Sequence, residues 1–198
     1  MKCGPSYEEY PKFNRHPFWL AKMRRAQSVR ALSLACLLLS GWAALFAGAL
    51  EDYVRKPDAT FTWKVAEKRQ IGEYSVTRLD LTSQTWHELV WKHALQIASP
   101  KTVRHPELAL LVITGDGDGS KSFNIMQTVA ARAGIVTAVL ANVPNQPIFD
   151  GRREDAIIAY TFDKYLKTGD GTWPLLLPMV KSAVRAMDAV QARSESVV

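Results

Sequence analysis

The residues best suited to chemistry form one short loop, Gly115, Asp116, Gly117, Asp118 and Gly119, between an apolar run that ends at Thr114 and a helix-patterned stretch that opens at Ser122. Glycine supplies positive φ and lets a backbone come close to a ligand, while aspartate at such a turn accepts neighbouring N–H groups. Sharper readings of the loop fail on residue type. The dinucleotide fingerprint G-x-G-x-x-G requires glycine where Ser120 stands, and two carboxylates would repel a pyrophosphate. An EF-hand counted from Asp116 has Lys121 in place of the glycine at position six and Gln127 in place of the bidentate glutamate at position twelve. A looser calcium site on Asp116 and Asp118 is a minor alternative; no metal and no cofactor is expected.

Other nucleophiles, bases and ligands are scattered. His87-Glu88 begins the zinc-protease pattern H-E-x-x-H, but Trp91 fills the second histidine position and cannot ligate, and His93 lies off the helical face of His87. Both histidines are expected to be ordinary hydrogen-bonded residues near a sheet edge. Ser182 follows Lys181 in a helical pattern with no base in view and reads as a plain helical residue. Trp63, Trp86, Trp91 and Trp173 read as packing residues rather than a sugar platform. Cys3 and Cys36 are the two cysteines, and both precede Ala49, so the remainder carries neither disulfide nor thiol nucleophile. No catalytic residue is assigned, because G-x-S-x-G, the turn that presents a hydrolase serine, occurs nowhere in the 198 residues.

The elements that must position the loop alternate between strand and helix. Phe61 to Val65 and Tyr74 to Thr82 are rich in aromatic and β-branched residues and flank Gly72, which predicts a hairpin. Trp91 to Ala98 predicts a third strand, closed by Ser99-Pro100. Leu108 to Thr114 and Ile135 to Ala141 are continuous apolar runs, the pattern of strands buried on both faces. Between them, Phe123, Met126, Val129 and Ala130 recur at helical spacing and Gly134 supplies a stop. Strand, helix and strand make a βαβ unit, with a right-handed crossover and a parallel sheet. Glu154 to Leu166 and Met179 to Gln191 predict two further helices.

Charge and hydropathy divide the chain at Ala49. Seven basic residues against Glu8 and Glu9 put +5 of the net charge of +6 in the first 49 residues, so the rest is nearly neutral and a nucleic-acid partner is not expected. Ala31 to Leu50 is almost unbroken in apolar character, follows Arg24, Arg25 and Arg30, and ends in the small-x-small triplet Ala47-Gly48-Ala49. Residues 1–49 therefore read as an export signal cut between Ala49 and Leu50, with the export machinery as partner and Met23 as an alternative start. An uncleaved membrane anchor and, less favoured, a lipoprotein box at Leu32 to Cys36 are the alternatives. In the anchored case too, the basic flank places the body outside the cytoplasm, in the periplasm or medium.

Several longer phrases occur in order: ALEDYVRKPD from Ala49, LTSQTWHE from Leu81, LLVITG from Leu110, NVPNQP from Asn142, EDAIIAYTF from Glu154, and WPLLLPMVKSAVRAMDAVQ from Trp173. Together they resemble the PhoPQ-activated pathogenicity-related protein family over Ala49 to Gln191. The resemblance implies an α/β-hydrolase-like fold behind an export signal. It also implies that Gly115, Asp116 and Gly117 belong to the loop after the third core strand, which donates a backbone N–H to an oxyanion hole. In that family the elbow serine follows the helix corresponding to Met179 to Gln191, whereas Ala192 to Val198 does not resemble a strand and elbow. The expectation is an incomplete α/β-hydrolase-like sheet, its N-terminal half, in a domain spanning residues 50–198. The family reading is an exported hydrolase-like fragment, catalytically silent as written and with an unknown ligand. The alternative is a short exported or anchored binding protein on the same half-scaffold. An uncovered sheet edge would in either case invite self-association.

Overall fold

The computed structural model describes residues 48–195. The expected export signal, the alternative start at Met23, and His16, Cys3 and Cys36 lie outside the described residues. Ala49 and Leu50 lie exposed in a helical segment, residues 48–55. Among the described residues no helix is long and apolar enough to cross a membrane.

Five strands, β1 (Thr62–Ile71), β2 (Tyr74–Trp86), β3 (Leu89–Pro100), β4 (Ala109–Ile113) and β5 (Val136–Leu140), form one sheet in the order β1-β2-β3-β5-β4. Three helices follow the same chain order: α1 (Ser120–Ala133) between β4 and β5, then α2 (Asp155–Thr168) and α3 (Leu176–Glu195). The predicted hairpin is present, with Gly72 at φ +54° turning Ile71 onto Tyr74. β2 and β3 run on to a second two-residue turn, His87-Glu88, where both residues take left-handed φ (42° and 66°) between the paired Trp86 and Leu89. The twist of such a turn matches that of the strands it joins.

One expectation is corrected. β4 is not buried on both faces: it lies at the edge of the sheet that the described residues form, and Leu110 and Ile113 are exposed. β4 and β5 are parallel, as expected of the βαβ unit, whereas β1, β2 and β3 meander antiparallel and present β3 antiparallel to β5. β5 thus takes the inner place, and every one of its residues is buried.

Both faces of the sheet are covered near its centre. Leu79, Leu81, Leu95, Ile97, Ala138 and Leu140 pack beneath Ala186, Ala189 and Val190 of α3. On the opposite face Val76, Ala98 and Val139 meet Phe123 and Ala130 of α1. Trp86 and Trp91 pack with Ile157 of α2 and Leu175 ahead of α3, in keeping with a packing role. Gly134 stops α1 in the left-handed conformation, its N–H returning to the Ala130 carbonyl.

Residues ahead of β1 are tied to this body by side chains. Tyr53 donates to Gln84 Oε1 at 3.0 Å, and the buried Lys181 donates to the Lys56 carbonyl at 2.8 Å. The Asp58 carboxylate accepts the N–H groups of Thr60 and Thr85 at 2.9 and 3.0 Å. Desolvation alone would raise the Asp58 pKa, but these hydrogen bonds and the Lys181 charge hold it below its ordinary value.

Candidate active-site loop

The Thr114 to Gly119 loop leaves β4 at the carboxyl ends of the two parallel strands, the end at which open α/β sheets bind ligands. Its carbonyls are fixed from β5 and the segment after it. Thr114 N–H donates to the Leu140 carbonyl at 2.8 Å, the Thr114 carbonyl accepts from Val143 N–H at 3.0 Å, and the Gly115 carbonyl accepts from Asn142 N–H at 2.8 Å. The N–H groups of Gly115, Asp116 and Gly117 find no acceptor among the described residues. Gly119 must be glycine: it sits at φ +76°, and a Cβ there would lie 2.9 Å from Val139 Cγ1.

Both loop aspartates have local duties. Asp118 closes the first turn of α1, accepting Ser120 N–H at 3.0 Å and the Ser120 hydroxyl at 2.6 Å, and these bonds lower its pKa. Its carbonyl also accepts from Gln96 Nε2 at 2.7 Å, which binds the loop to β3. Asp116 pairs with the Arg153 guanidinium. Among the described residues no cluster of three or more acidic, histidine or cysteine side chains could hold a metal ion.

A third carboxylate stands beside the loop, one that the sequence did not single out. Glu154 takes φ 47° and ψ −129°, a conformation costing on the order of 1–3 kcal/mol. Two bonds exchanged with Gln146 hold it there: Gln146 Nε2 donates to Glu154 Oε1 at 2.6 Å, and Glu154 N–H donates to Gln146 Oε1 at 2.8 Å. Glu154 Oε1 lies 3.9 Å from where a Cβ on Gly115 would be.

Behind the loop runs a buried polar chain, which corrects the readings of His93 and Ser182. His93 is on the inner strand β3 rather than near an edge, and it is almost wholly buried. Its Nδ1 lies 3.0 Å from the Asn142 carbonyl and 3.3 Å from that of Ala141, so Nδ1 carries the proton and Nε2 is left to accept. Ser83 Oγ stands 3.0 Å from Nε2 and 2.9 Å from Ser182 Oγ, and Gln84 Nε2 donates to Ser182 Oγ at 3.2 Å and to the Pro178 carbonyl at 2.7 Å. Ser182 is therefore not a plain helical residue, since a base lies one hydroxyl away. The chain does not make a catalytic triad. Ser83 and Ser182 are fully buried, and the third position behind the imidazole is taken by backbone carbonyls instead of a carboxylate.

His87 is far from any such role. In the β2–β3 turn it stacks on Trp173, with ring centroids 3.8 Å apart and planes 15° from parallel. Phe149 and Tyr160 extend this half-buried cluster, and Arg152 and Lys164 lie over the Tyr160 ring.

A mixed sheet with a βαβ unit, a glycine loop at the carboxyl ends of its parallel strands and helices on both faces is an α/β architecture consistent with an α/β-hydrolase-like fold. A crystal structure from Bacteroides fragilis NCTC 9343, described provisionally as an acetyl xylan esterase, shares this fold with a TM-score of 0.51 at 12% identity, over 77% of this chain and 43% of that one. The chain belongs to the PhoPQ-activated pathogenicity-related protein family, whose sequence model matches residues 50–197. Among curated proteins it is similar to autocrine proliferation repressor protein A of Dictyostelium discoideum, 38% identical over 173 residues, which cover 80% of this chain and 35% of that protein. The chain thus spans about a third of that relative's length.

Proposed function

We propose that this chain is an exported, hydrolase-like half-scaffold that carries an oxyanion loop and hydrolyses no ester by itself. The observation that carries the reading is the loop between β4 and α1. Gly115, Asp116 and Gly117 hold N–H groups that no described residue accepts, at the carboxyl ends of two parallel strands and inside the family-matched segment. Such donors stabilise negative charge developing on an acyl oxygen when they are fixed in advance, and the carbonyl bonds from Asn142 and Val143 do the fixing. Catalysis also needs a nucleophile and a base at the same place. The described histidines are elsewhere: His93 under α3, His87 against Trp173, and His105 ahead of β4, beside Glu107. Ser120, the serine nearest the loop, is held by Asp118.

The purified chain is expected to hydrolyse p-nitrophenyl acetate at the buffer rate. Turnover that saturates with substrate would overturn the reading. Export is tested separately, by N-terminal sequencing of protein from the periplasm or medium, with Leu50 expected as the first residue. A cytoplasmic protein beginning at Met1 or Met23 would contradict it.

The half-buried cluster of His87, Trp173, Tyr160 and Phe149 supports a second reading, an exported binding protein. Saturable quenching of tryptophan fluorescence by a ligand, lost on Trp173→Ala, would favour it.

A further inference from the structure

The buried polar chain behind the loop has one direction, because carbonyls, which can only accept, stand at both of its ends. The Pro178 carbonyl takes Gln84 Nε2 at 2.7 Å, so Gln84 Oε1 faces Tyr53 and the Tyr53 hydroxyl donates to it at 3.0 Å. At the other end the Asn142 carbonyl takes His93 Nδ1–H, and Nε2 accepts from the Ser83 hydroxyl. Ser83 then has only lone pairs to offer Ser182, so Ser182 donates to it at 2.9 Å while accepting Gln84 Nε2 at 3.2 Å. Every donor from Tyr53 to His93 thus points the same way, and hydrogen bonds aligned in series strengthen one another. Ser83, Gln84 and Ser182 are fully buried, so bulk water does not compete for these bonds.

The chain ends on the two peptide units that carry the loop. A peptide unit is planar, so its C=O and the N–H that follows it turn together. His93 Nδ1 lies 3.3 Å from the Ala141 carbonyl and 3.0 Å from the Asn142 carbonyl. The N–H groups of the same two units, on Asn142 and Val143, hold the Gly115 and Thr114 carbonyls at 2.8 and 3.0 Å. Between the two units Asn142 takes a left-handed φ of 65°, which sets the turn from one to the other.

We propose that the segment ahead of β1, residues 52–60, is a strap that holds the Gly115 loop in place through this chain, with Tyr53 as the positioning residue at its far end. Lys181 and Thr85 seat the strap through the Lys56 carbonyl and the Asp58 carboxylate, which brings the Tyr53 hydroxyl to Gln84. Withdrawing that hydroxyl opens a second arrangement. The Ser182 hydroxyl also lies 2.9 Å from the Pro178 carbonyl, so once Gln84 turns away Ser182 donates there, Ser83 loses its donor, and the bond from Ser83 to His93 weakens. Coupling between distant groups requires two discrete arrangements of this kind. It acts on the attachment of the loop and not on ester chemistry, so the coupling and the expected lack of ester hydrolysis fail independently.

Nitrogen NMR of the histidine rings and amide hydrogen exchange, both on the full 198-residue chain, test the coupling. In the unaltered protein the His93 ring proton is expected on Nδ1. Tyr53→Phe removes only the hydroxyl and should move the His93 Nε2 resonance toward that of an unbonded ring nitrogen. It should also speed exchange of the Asn142 and Val143 amides at least about twofold. The amides of Gly134 and Gly169, which cap α1 and α2, should exchange as before, which separates the coupling from a general loss of stability. Ser83→Ala should itself speed exchange at Asn142 and Val143, and adding Tyr53→Phe to it should change nothing further, because the chain is already cut. Ser182→Ala cuts the chain one step earlier and replaces Ser83→Ala if that variant does not fold. A ring proton on Nε2, unchanged exchange at Asn142 and Val143 in Tyr53→Phe, equal acceleration at all four amides, or additive effects of the two substitutions would overturn the proposal.

Discussion

Burial between β2, β5 and α3 lowers the His93 pKa from 6.5 to about 4, because desolvation opposes the charged imidazole and the Asn142 and Ala141 carbonyls recover only part of the loss. Between those two values the unfolded chain binds more protons than the folded one, so stability falls as pH drops from 6.5 toward 4, by up to about 3 kcal/mol. Urea titrations at pH 7 and pH 4.5 should show the drop, and His93→Gln should flatten it; an unchanged slope in that variant would place the pH dependence elsewhere. Ser83→Ala removes the hydroxyl that satisfies His93 Nε2, while Ser182 Oγ keeps the Pro178 carbonyl and Gln84 Nε2, and the change is expected to cost about 1–3 kcal/mol in the same titration at pH 7. Little of this chain could be read from sequence. Ser83 is the extra residue of a β-bulge between Thr82 and Gln84, and the bulge turns Ser83 and Gln84 together toward α3. No spacing rule brings residues 83, 93 and 182 to one point, so Ser182 looks like an ordinary helical serine until α3 is docked.

Local pattern identified most elements, because their causes are local. Gly72 and Gly134 end their elements through left-handed conformations that other residues avoid, and the helical repeat of α1 is visible in Phe123, Met126, Val129 and Ala130. Strand order has no such local cause. The runs that become β4 and β5 are alike in composition, yet β5 is wholly buried and β4 lies at the edge, because the antiparallel meander of β1 to β3 claims the other side of β5. The loop between them is legible as glycine-rich, but the Glu154–Gln146 pair beside it depends on backbone geometry that sequence does not display. At this scale Gly119→Ala is the informative change. It adds a Cβ at φ +76° and 2.9 Å from Val139 Cγ1, so it should destabilise the protein by more than about 1 kcal/mol in thermal melts. A neutral result would mean that the loop does not lie against β5 as described.

For the molecule as a whole, the fold is consistent with an α/β-hydrolase-like scaffold, while the chemistry proposed for such a scaffold depends on groups that the described residues do not bring to the loop. The serine and histidine that do come together, Ser83 and His93, are sealed beneath α3 and serve packing and hydrogen bonding. The most direct test of that account is labelling of the purified chain with a fluorophosphonate probe, followed by mapping of any modified serine. The expected result is no labelling above that of the heat-denatured protein. Stoichiometric modification of Ser83, Ser120 or Ser182, abolished by changing that serine to alanine, would contradict it and make the chain a serine hydrolase in its own right.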